Sequence, residues 1–217
     1  MMQVFNCAEQ DQRAAGLDAA TESVRRGRLV VLPTDTLYGL GVDAFDRGAV
    51  TTLLAAKGRG RDMPVPVLVS SWRTLDGLVE QVTGQIRDLV RAFWPGGLTL
   101  VVNHAPSLRW DLGDARGTVA VRMPLHPVAL ELLARTGPMA VSSANLSGRP
   151  PATTVHDALA QLGGAVEVYL DGGPTPVGAA STILDCTGRV PVVVREGAVS
   201  LAALRSVLPL VEEPVGR

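Results

Sequence analysis

Three cations stand on alternate positions between two apolar runs of the sequence. Lys57, Arg59 and Arg61 are separated by Gly58 and Gly60. An arginine can fork onto two phosphate oxygens, a lysine supplies a compact charge, and glycine lets the backbone approach a ligand closely. A solvated charged loop would also explain these residues. Their position between a predicted helix and a predicted strand favours a phosphate-binding loop.

Small polar side chains follow another apolar run, in the stretch AVSSANLSG. Ser142, Ser143, Asn145 and Ser147 come where a core strand is predicted to end. Unpaired polar groups are costly to bury. A polar turn would explain Ser147 but not two adjacent serines at the end of a core strand. The pattern therefore predicts a ligand site at this strand end.

Arginines end two further predicted strands, VAVRMP with Arg122 and VVVREG with Arg195. An arginine between apolar neighbours is expected to be buried, and a buried guanidinium needs an anionic partner. Either a structural carboxylate or a bound anion would meet that need at Arg122. The sequence leaves both alternatives open.

The stretch PTDTLYGLG follows a predicted buried strand, at the kind of position where α/β sheets bind ligands. The hydroxyls of Thr34 and Thr36 are candidates either for ligand contacts or for a local turn. Gly39 and Gly41 superficially match a dinucleotide-binding fingerprint, but they come too far after the strand for that motif. Asp35 and the two glycines are therefore predicted to shape a turn.

The composition restricts the function classes. The 217 residues carry a formal net charge of −1, which argues against a generally basic nucleic-acid binder. No apolar run could span a bilayer, and the N-terminus lacks the pattern of a secretory signal, so a cytoplasmic protein that binds no membrane is expected. Cys7 and Cys186 are predicted to be buried free thiols, and the three isolated histidines are not expected to bind metal.

Helical and strand-like periodicities alternate along the chain, and strands cluster in its last third. A strand is predicted at Gln3–Asn6, a helix over 8–26, and a capping box of Thr154 and Asp157 before a later helix. The pattern predicts an α/β fold with an open, twisted, mainly mixed β-sheet flanked by helices. One domain is expected over residues 1–200, with a short C-terminal helix and tail over 201–217.

Five stretches carry a resemblance to a known family: PTDTLYGLG, KGR, FWPGGLTLVV, VAVRMP and SSANLSG. In this order and at these spacings they resemble the YrdC-like family, the L-threonylcarbamoyladenylate synthases, from about residue 10 to about residue 197. The family fold is an open twisted sheet with a deep basic cleft, which agrees with the expectation from periodicity.

The resemblance implies a reaction. L-Threonine, bicarbonate or CO2, and ATP would give threonylcarbamoyl-AMP and pyrophosphate, with Mg2+ accompanying the ATP. The product would pass to a separate transferase system that makes threonylcarbamoyladenosine next to the anticodon of tRNA. Weak direct binding of tRNA is a further expectation. No side-chain nucleophile is implied, and the site would act by alignment and charge neutralisation.

The resemblance also implies roles for individual residues. Its catalytic positions correspond to Lys57, Arg59, Ser143 and Asn145. Its threonine-binding positions correspond to Thr36, Arg122, Ser142 and Ser181. Its ATP-binding positions correspond to Lys57, Arg59, Met63, Thr118, Ser143, Ala144, Asn145 and Arg195. No residue is expected to hold a resident metal.

The sequence departs from the family pattern in the basic loop. Gly60 and Met63 stand where the family usually has proline and lysine, and Arg61 is the candidate for the missing charge. Longer relatives carry an additional C-terminal domain, whereas only a short tail follows residue 197 in this sequence. The way the site closes is therefore expected to differ.

Two alternatives to the synthase stay open. The first is a YrdC-like paralogue that binds tRNA or double-stranded RNA without catalysis, although the charge balance and the scarcity of interleaved aromatics weigh against it. The second is a paralogue with the same fold and another carbamoyl substrate. The presence of both KxR and SxN favours the synthase.

Overall fold

The computed structural model describes residues 2–213, which form one ten-stranded sheet with helices on both faces. The strands are β1 Gln3–Asn6, β2 Val30–Leu32, β3 Gly39–Asp43, β4 Val67–Leu68, β5 Leu98–Asn103, β6 Thr118–Arg122, β7 Met139–Ser143, β8 Val168–Asp171, β9 Thr182–Asp185 and β10 Val192–Arg195. The α-helices are α1 Gln10–Arg25, α2 Arg47–Lys57, α3 Leu75–Leu78, α4 Gly84–Phe93, α5 Pro127–Thr136, α6 Val155–Leu162 and α7 Leu201–Val207. Single 3₁₀ turns lie at Trp72–Thr74 and Gly163–Ala165.

The sheet is mixed, as the sequence predicts. Its strand order is β1-β8-β2-β3-β7-β4-β6-β5-β9-β10. The pairs β1–β8, β8–β2, β4–β6 and β5–β9 are parallel, and the other five neighbouring pairs are antiparallel. The α/β class and the mixed sheet flanked by helices are therefore confirmed.

The two faces of the sheet are covered differently. Helices α1 and α5 bury Leu17 and Leu132 in a cluster over β2, β7 and β8. The opposite face packs against α2, α4, α6 and α7 through a larger cluster. Leu68 and Val141 belong to the cluster under α1 and α5 and also line an open cavity. The part of this face that the two helices leave uncovered therefore forms the wall of the cavity.

Local sequence signals explain where the helices begin and end. The Asp46 side chain accepts a hydrogen bond from the Ala49 backbone N–H at the start of α2, and Gly58 ends that helix with φ +60°. The predicted capping box of Thr154 and Asp157 is confirmed at the start of α6. The Gly58 cap fixes the last turn of α2, and with it the point from which the basic loop leaves the helix.

Some predictions need correction. The glycine stretch predicted as a turn forms β3, whose Gly39 and Gly41 permit close contact with the side chains of β7. Both cysteines are free thiols as predicted, but Cys186 is only partly buried. The predicted C-terminal helix lies at Leu201–Val207, and part of the predicted tail, 214–217, lies outside the described residues. Within residues 2–213, no helix is long and apolar enough to cross a bilayer.

Replacing Gly39 with alanine is expected to destabilise the fold by about 1–3 kcal/mol, the usual range for overpacking. The added Cβ would lie 2.5 Å from Cγ1 of Val141, a stiff β-branched side chain. Gly77→Ala in α3 is the matched control, because nothing lies within 4 Å of its added methyl group. Denaturant unfolding compares the two, and a Gly39→Ala variant as stable as the parent would contradict this packing.

Candidate active site

An open cavity of about 600 Å³ lies against the uncovered part of the sheet. Most residues to which the family resemblance assigns a role line it, namely Thr36, Arg59, Thr118, Arg122, Ser142, Ser143, Asn145, Ser181 and Arg195. They come from the connection after β2, the basic loop after α2, strands β6, β7 and β10, the loop after β7 and the segment before β9. The fold thus brings together residues that are far apart in the sequence.

Apolar side chains form much of the cavity wall. Pro64 and Val65 from the basic loop, and Leu112 from the β5–β6 connection, line it together. The backbone N–H of Val65 donates to the Leu112 carbonyl over 2.8 Å, which holds the two loops together. Low-polarity walls strengthen the interaction of a cation with a bound anion.

Arg122 forms the buried cationic end of the cavity. Its Nε donates to the Gly96 carbonyl over 2.8 Å, and its two terminal nitrogens donate to Thr36 Oγ1 over 2.7 Å and to Asp35 Oδ1 over 2.6 Å. Burial lowers the pKa of Arg122, and the charge of Asp35 opposes that shift. The sequence leaves open whether Arg122 pairs with a structural carboxylate or with a bound anion, and the structure provides the carboxylate of Asp35. The two terminal nitrogens each retain one further N–H group.

Hydroxyl groups surround this end of the cavity. Thr36 Oγ1 also lies 3.1 Å from Thr34 Oγ1, and Thr34 in turn donates to the Leu37 carbonyl over 2.6 Å. On the opposite side, Thr99 Oγ1 donates to Ser181 Oγ over 2.9 Å. These small donors and acceptors suit a polar ligand that carries a hydroxyl or an amine beside its anionic group.

Arg59 points into the cavity with donor capacity to spare. One terminal nitrogen donates to Ser142 Oγ over 3.1 Å, whereas its Nε is buried without a hydrogen-bond partner among the described residues. Burial is the main cause of the lowered pKa of Arg59; the charge of Asp62 opposes the shift, and the charge of Arg195 adds to it. A buried charged N–H without a partner is unfavourable. An anionic ligand at this position would satisfy it.

Lys57 and Asn145 are fully engaged with the protein itself. The Lys57 Nζ donates to the carbonyls of Ser143 and Asn145 over 2.5 and 2.6 Å, and lies 3.5 Å from Asn145 Oδ1. The Asn145 amide donates to the carbonyls of Leu146 and Arg149, both over 2.9 Å. Both side chains therefore fasten the loop after β7, and the loop presents Ser143 to the cavity.

Several residues with predicted roles do not reach the cavity. Lys57 is the last residue of α2 and is buried behind the β7 loop, Ala144 is buried, and Met63 is about half exposed outside the cavity lining. Arg61, the candidate for the missing charge, forms an ion pair with Asp111 at 2.6 Å, and neither residue lines the cavity. Among the three alternating cations, only Arg59 lines the cavity.

Sequence reasoning missed two groups that complete the site. Asp35, predicted as a turn residue, is 5% exposed and pairs with Arg122. The sequence contains a signal for this role, because a buried arginine needs an anionic partner and Asp35 is adjacent to Thr36, a predicted site residue. Thr99 stands in the motif FWPGGLTLVV without a predicted role, although its position on β5 directs it to the cavity face.

Lys57 is the only lysine in the sequence, so ¹³C-lysine labelling gives a single side-chain signal to titrate. Burial, followed by the charge of Arg59, lowers its pKa to about 8, and the NMR midpoint is expected there. Between this value and the ordinary lysine value of 10.5, the unfolded chain binds the proton more strongly than the native chain does. The unfolding free energy contributed by Lys57 therefore rises with pH in this window. A midpoint near 10.5 would contradict the buried cage.

Comparison with known sequences places the chain in a family. A sequence model of the Sua5, YciO and YrdC proteins, described as telomere recombination, matches residues 22–197. A Mycobacterium leprae protein, provisionally named as a threonylcarbamoyl-AMP synthase, is 61% identical over 211 residues, which cover 97% of this chain and 96% of the relative. The threonylcarbamoyl-AMP synthase of Pyrococcus abyssi is 38% identical over 186 residues, which cover 85% of this chain and 55% of that longer protein.

Solved structures agree with the sequence comparison. Pyrococcus abyssi Sua5 complexed with L-threonine aligns with a TM-score of 0.91 at 34% identity, covering 98% of this chain and 62% of that chain. Escherichia coli YciO aligns with a TM-score of 0.83 at 25% identity, covering 94% and 100% respectively. The resemblance predicted from the five motifs is confirmed, and the chain belongs to the Sua5/YciO/YrdC family.

Proposed function

We propose that this chain is an L-threonylcarbamoyladenylate synthase, which forms threonylcarbamoyl-AMP and pyrophosphate from L-threonine, bicarbonate or CO2, and ATP. The observation that carries the proposal is one cavity lined by Arg122 among hydroxyls, by Arg59 with an Nε that has no partner among the described residues, and by Arg195. The names of the relatives support this activity, and the Sua5 structure with L-threonine supports threonine as a substrate. None of these findings favours the RNA-binding alternative.

Threonine would bind at the Arg122 end. The two N–H groups left on its terminal nitrogens suit a carboxylate, which accepts paired hydrogen bonds from a guanidinium. Thr36, which accepts from Arg122, and Ser181, which lines the same cavity, would provide oxygens for the amine and hydroxyl groups. The anion is thus fixed by charge, and the rest of the substrate by short polar contacts.

The triphosphate would bind at the Arg59 end. The Nε of Arg59 is a cationic donor there, and Ser143 lines the same cavity. Arg195 adds a second charge, while its Nε and one terminal nitrogen donate to the Ser181 carbonyl over 3.2 and 2.8 Å. Ser142, which the resemblance assigns to threonine, accepts from Arg59 and would lie between the two substrates. Thr118 and Leu112 line the cavity beside the apolar wall, where the nucleoside would lie. Lys57 and Asn145 would act through the β7 loop that they hold.

The chemistry follows from this alignment. The threonine amine attacks carbon of CO2 and loses a proton, which gives a carbamate. A carbamate oxygen then attacks the α-phosphorus of ATP, the bond to the bridging oxygen breaks, and pyrophosphate leaves. The protein supplies no nucleophile. Its arginines would stabilise the developing charge and its hydroxyls would orient the reactants.

Mg2+ is proposed to arrive with ATP. Among residues 2–213, no group of three or more His, Cys, Asp or Glu side chains could hold a metal ion. The cavity donors are mainly hydroxyls and guanidinium groups, with Asp185 as a carboxylate that already accepts from the Thr187 backbone and hydroxyl. Such a set fits an ion held chiefly by triphosphate oxygens and water, as is usual for Mg2+. The ion would neutralise the leaving pyrophosphate.

The reactivity of the product suggests how it is used next. Threonylcarbamoyl-AMP is a mixed anhydride that water hydrolyses, so direct handover to a tRNA threonylcarbamoyl transferase system is proposed. Weak direct binding of tRNA and a cytoplasmic location belong to the same proposal.

Arg59→Ala is expected to lower kcat/KM for ATP by about a hundredfold, because preorganised charge at a phosphoryl-transfer site has effects of this size. Arg61→Ala is the matched control. Its partners Asp111 and Asp114 lie outside the cavity lining, and the loss of exposed ion pairs changes little, so kcat/KM is expected to stay within about threefold of the parent. Pyrophosphate release measures both variants.

The same assay tests the proposal when each substrate is omitted in turn. Release that requires threonine and bicarbonate together is expected. Release without either of them would contradict the proposed function, as would folded protein that binds RNA in a salt-sensitive manner and never turns over ATP. Equal losses in Arg59→Ala and Arg61→Ala would contradict the assignment of the phosphate end.

A further inference from the structure

Asp35 connects three segments at the closed end of the cavity. It lies in the connection between β2 and β3 and is 5% exposed. Its Oδ1 accepts from the Arg122 terminal nitrogen over 2.6 Å and from the Leu125 backbone N–H over 2.8 Å. One carboxylate oxygen therefore joins the β2–β3 connection to the end of β6 and to the segment that enters α5.

The Arg122 guanidinium cannot turn freely while these contacts persist. Gly96 accepts from Nε, Thr36 accepts from one terminal nitrogen, and Asp35 accepts from the other. Three of five N–H groups are thus used by the protein and two are left. Among the three partners only Asp35 carries a charge, so it alone both orients the guanidinium and offsets its buried charge.

We propose that Asp35 is the positioning residue of the threonine site, which holds Arg122 in one orientation so that its two remaining N–H groups meet the substrate carboxylate. This inference rests on the proposed function. Asp35 itself does not touch the substrate in this account. It acts through Arg122, and the fixed geometry removes the entropic cost of ordering a flexible cation when threonine binds.

A different result is expected if Asp35 and Arg122 form a purely structural ion pair. Loss of such a pair would lower stability and leave the folded enzyme with unchanged substrate affinities. A positioning role instead changes the threonine KM selectively, because ATP is proposed to bind through Arg59, whose Nε has no partner among the described residues. The split between the two KM values therefore separates the two roles.

The experiment compares pyrophosphate release by Asp35→Ala, Asp35→Asn and the wild type across threonine and ATP concentrations. We expect Asp35→Ala to raise the threonine KM at least about tenfold, which corresponds to about 1.4 kcal/mol. Asparagine keeps an acceptor oxygen but loses the charge, so an increase of about three- to tenfold is expected. The ATP KM is expected to stay within about twofold in both variants, since no contact at the Arg59 end is altered.

Formate provides a second test, because it is expected to change the threonine KM of Asp35→Ala only if Asp35 positions Arg122 for threonine. In Asp35→Ala it can occupy the vacated carboxylate position, so added formate is expected to lower the threonine KM of this variant. In the wild type it can only compete with the substrate carboxylate. Sodium chloride at the same ionic strength controls for screening. Asp18→Ala is the control variant. It removes an ion pair between Asp18 and Arg135, which joins α1 to α5 outside the cavity.

The outcomes separate the two proposals. If the wild type releases pyrophosphate without needing threonine, the proposed function fails. If the wild type needs threonine and folded Asp35→Ala keeps its threonine KM, the role of Asp35 is overturned and the synthase activity stands. Should Asp35→Ala not fold, Asp35→Asn decides alone, and a threonine KM within about twofold of the wild type overturns the inference.

Discussion

A guanidinium buried in a protein interior is stable only when its charge and its N–H groups are matched. Arg122 meets this condition through Asp35 and Thr36 in the connection after β2 and through Gly96 in a distant segment of the chain. The closed end of the cavity depends on this set of contacts, because it ties the connection after β2 to the end of β6 and to the loop before β5. Without it, the uncovered part of the sheet would have no fixed polar end.

The site compensates its cations in three different ways. Arg122 has a carboxylate, Lys57 has backbone and amide oxygens, and Arg59 has a serine hydroxyl and an Nε without a partner among the described residues. The remaining capacity to bind anions therefore lies mainly at Arg59 and near Arg195, while Arg122 keeps two N–H groups for one carboxylate. This unequal compensation agrees with the proposed sites, in which threonine binds at the buried Arg122 and the triphosphate at Arg59.

Much of the fold and part of the site could be predicted from the sequence. Alternating periodicity predicts the α/β class, and polar residues at strand ends predict the place of the ligand site. The pairing of Arg61 with Asp111 and the cage around Lys57 join residues 50 and 86 or more positions apart, which no local pattern encodes. The strand β3 was missed because its glycines are poor strand formers, and only close packing against β7 explains them.

One cavity is proposed to join threonine, CO2 and the AMP part of ATP. To test this, the purified chain is incubated with L-threonine, ATP, Mg2+ and ¹³C-bicarbonate, and the products are examined by mass spectrometry. We expect threonylcarbamoyl-AMP that carries the ¹³C label in its carbamoyl carbon, formed together with pyrophosphate. Folded protein that releases pyrophosphate without any labelled adenylate, or that forms an adenylate lacking the label, would contradict it.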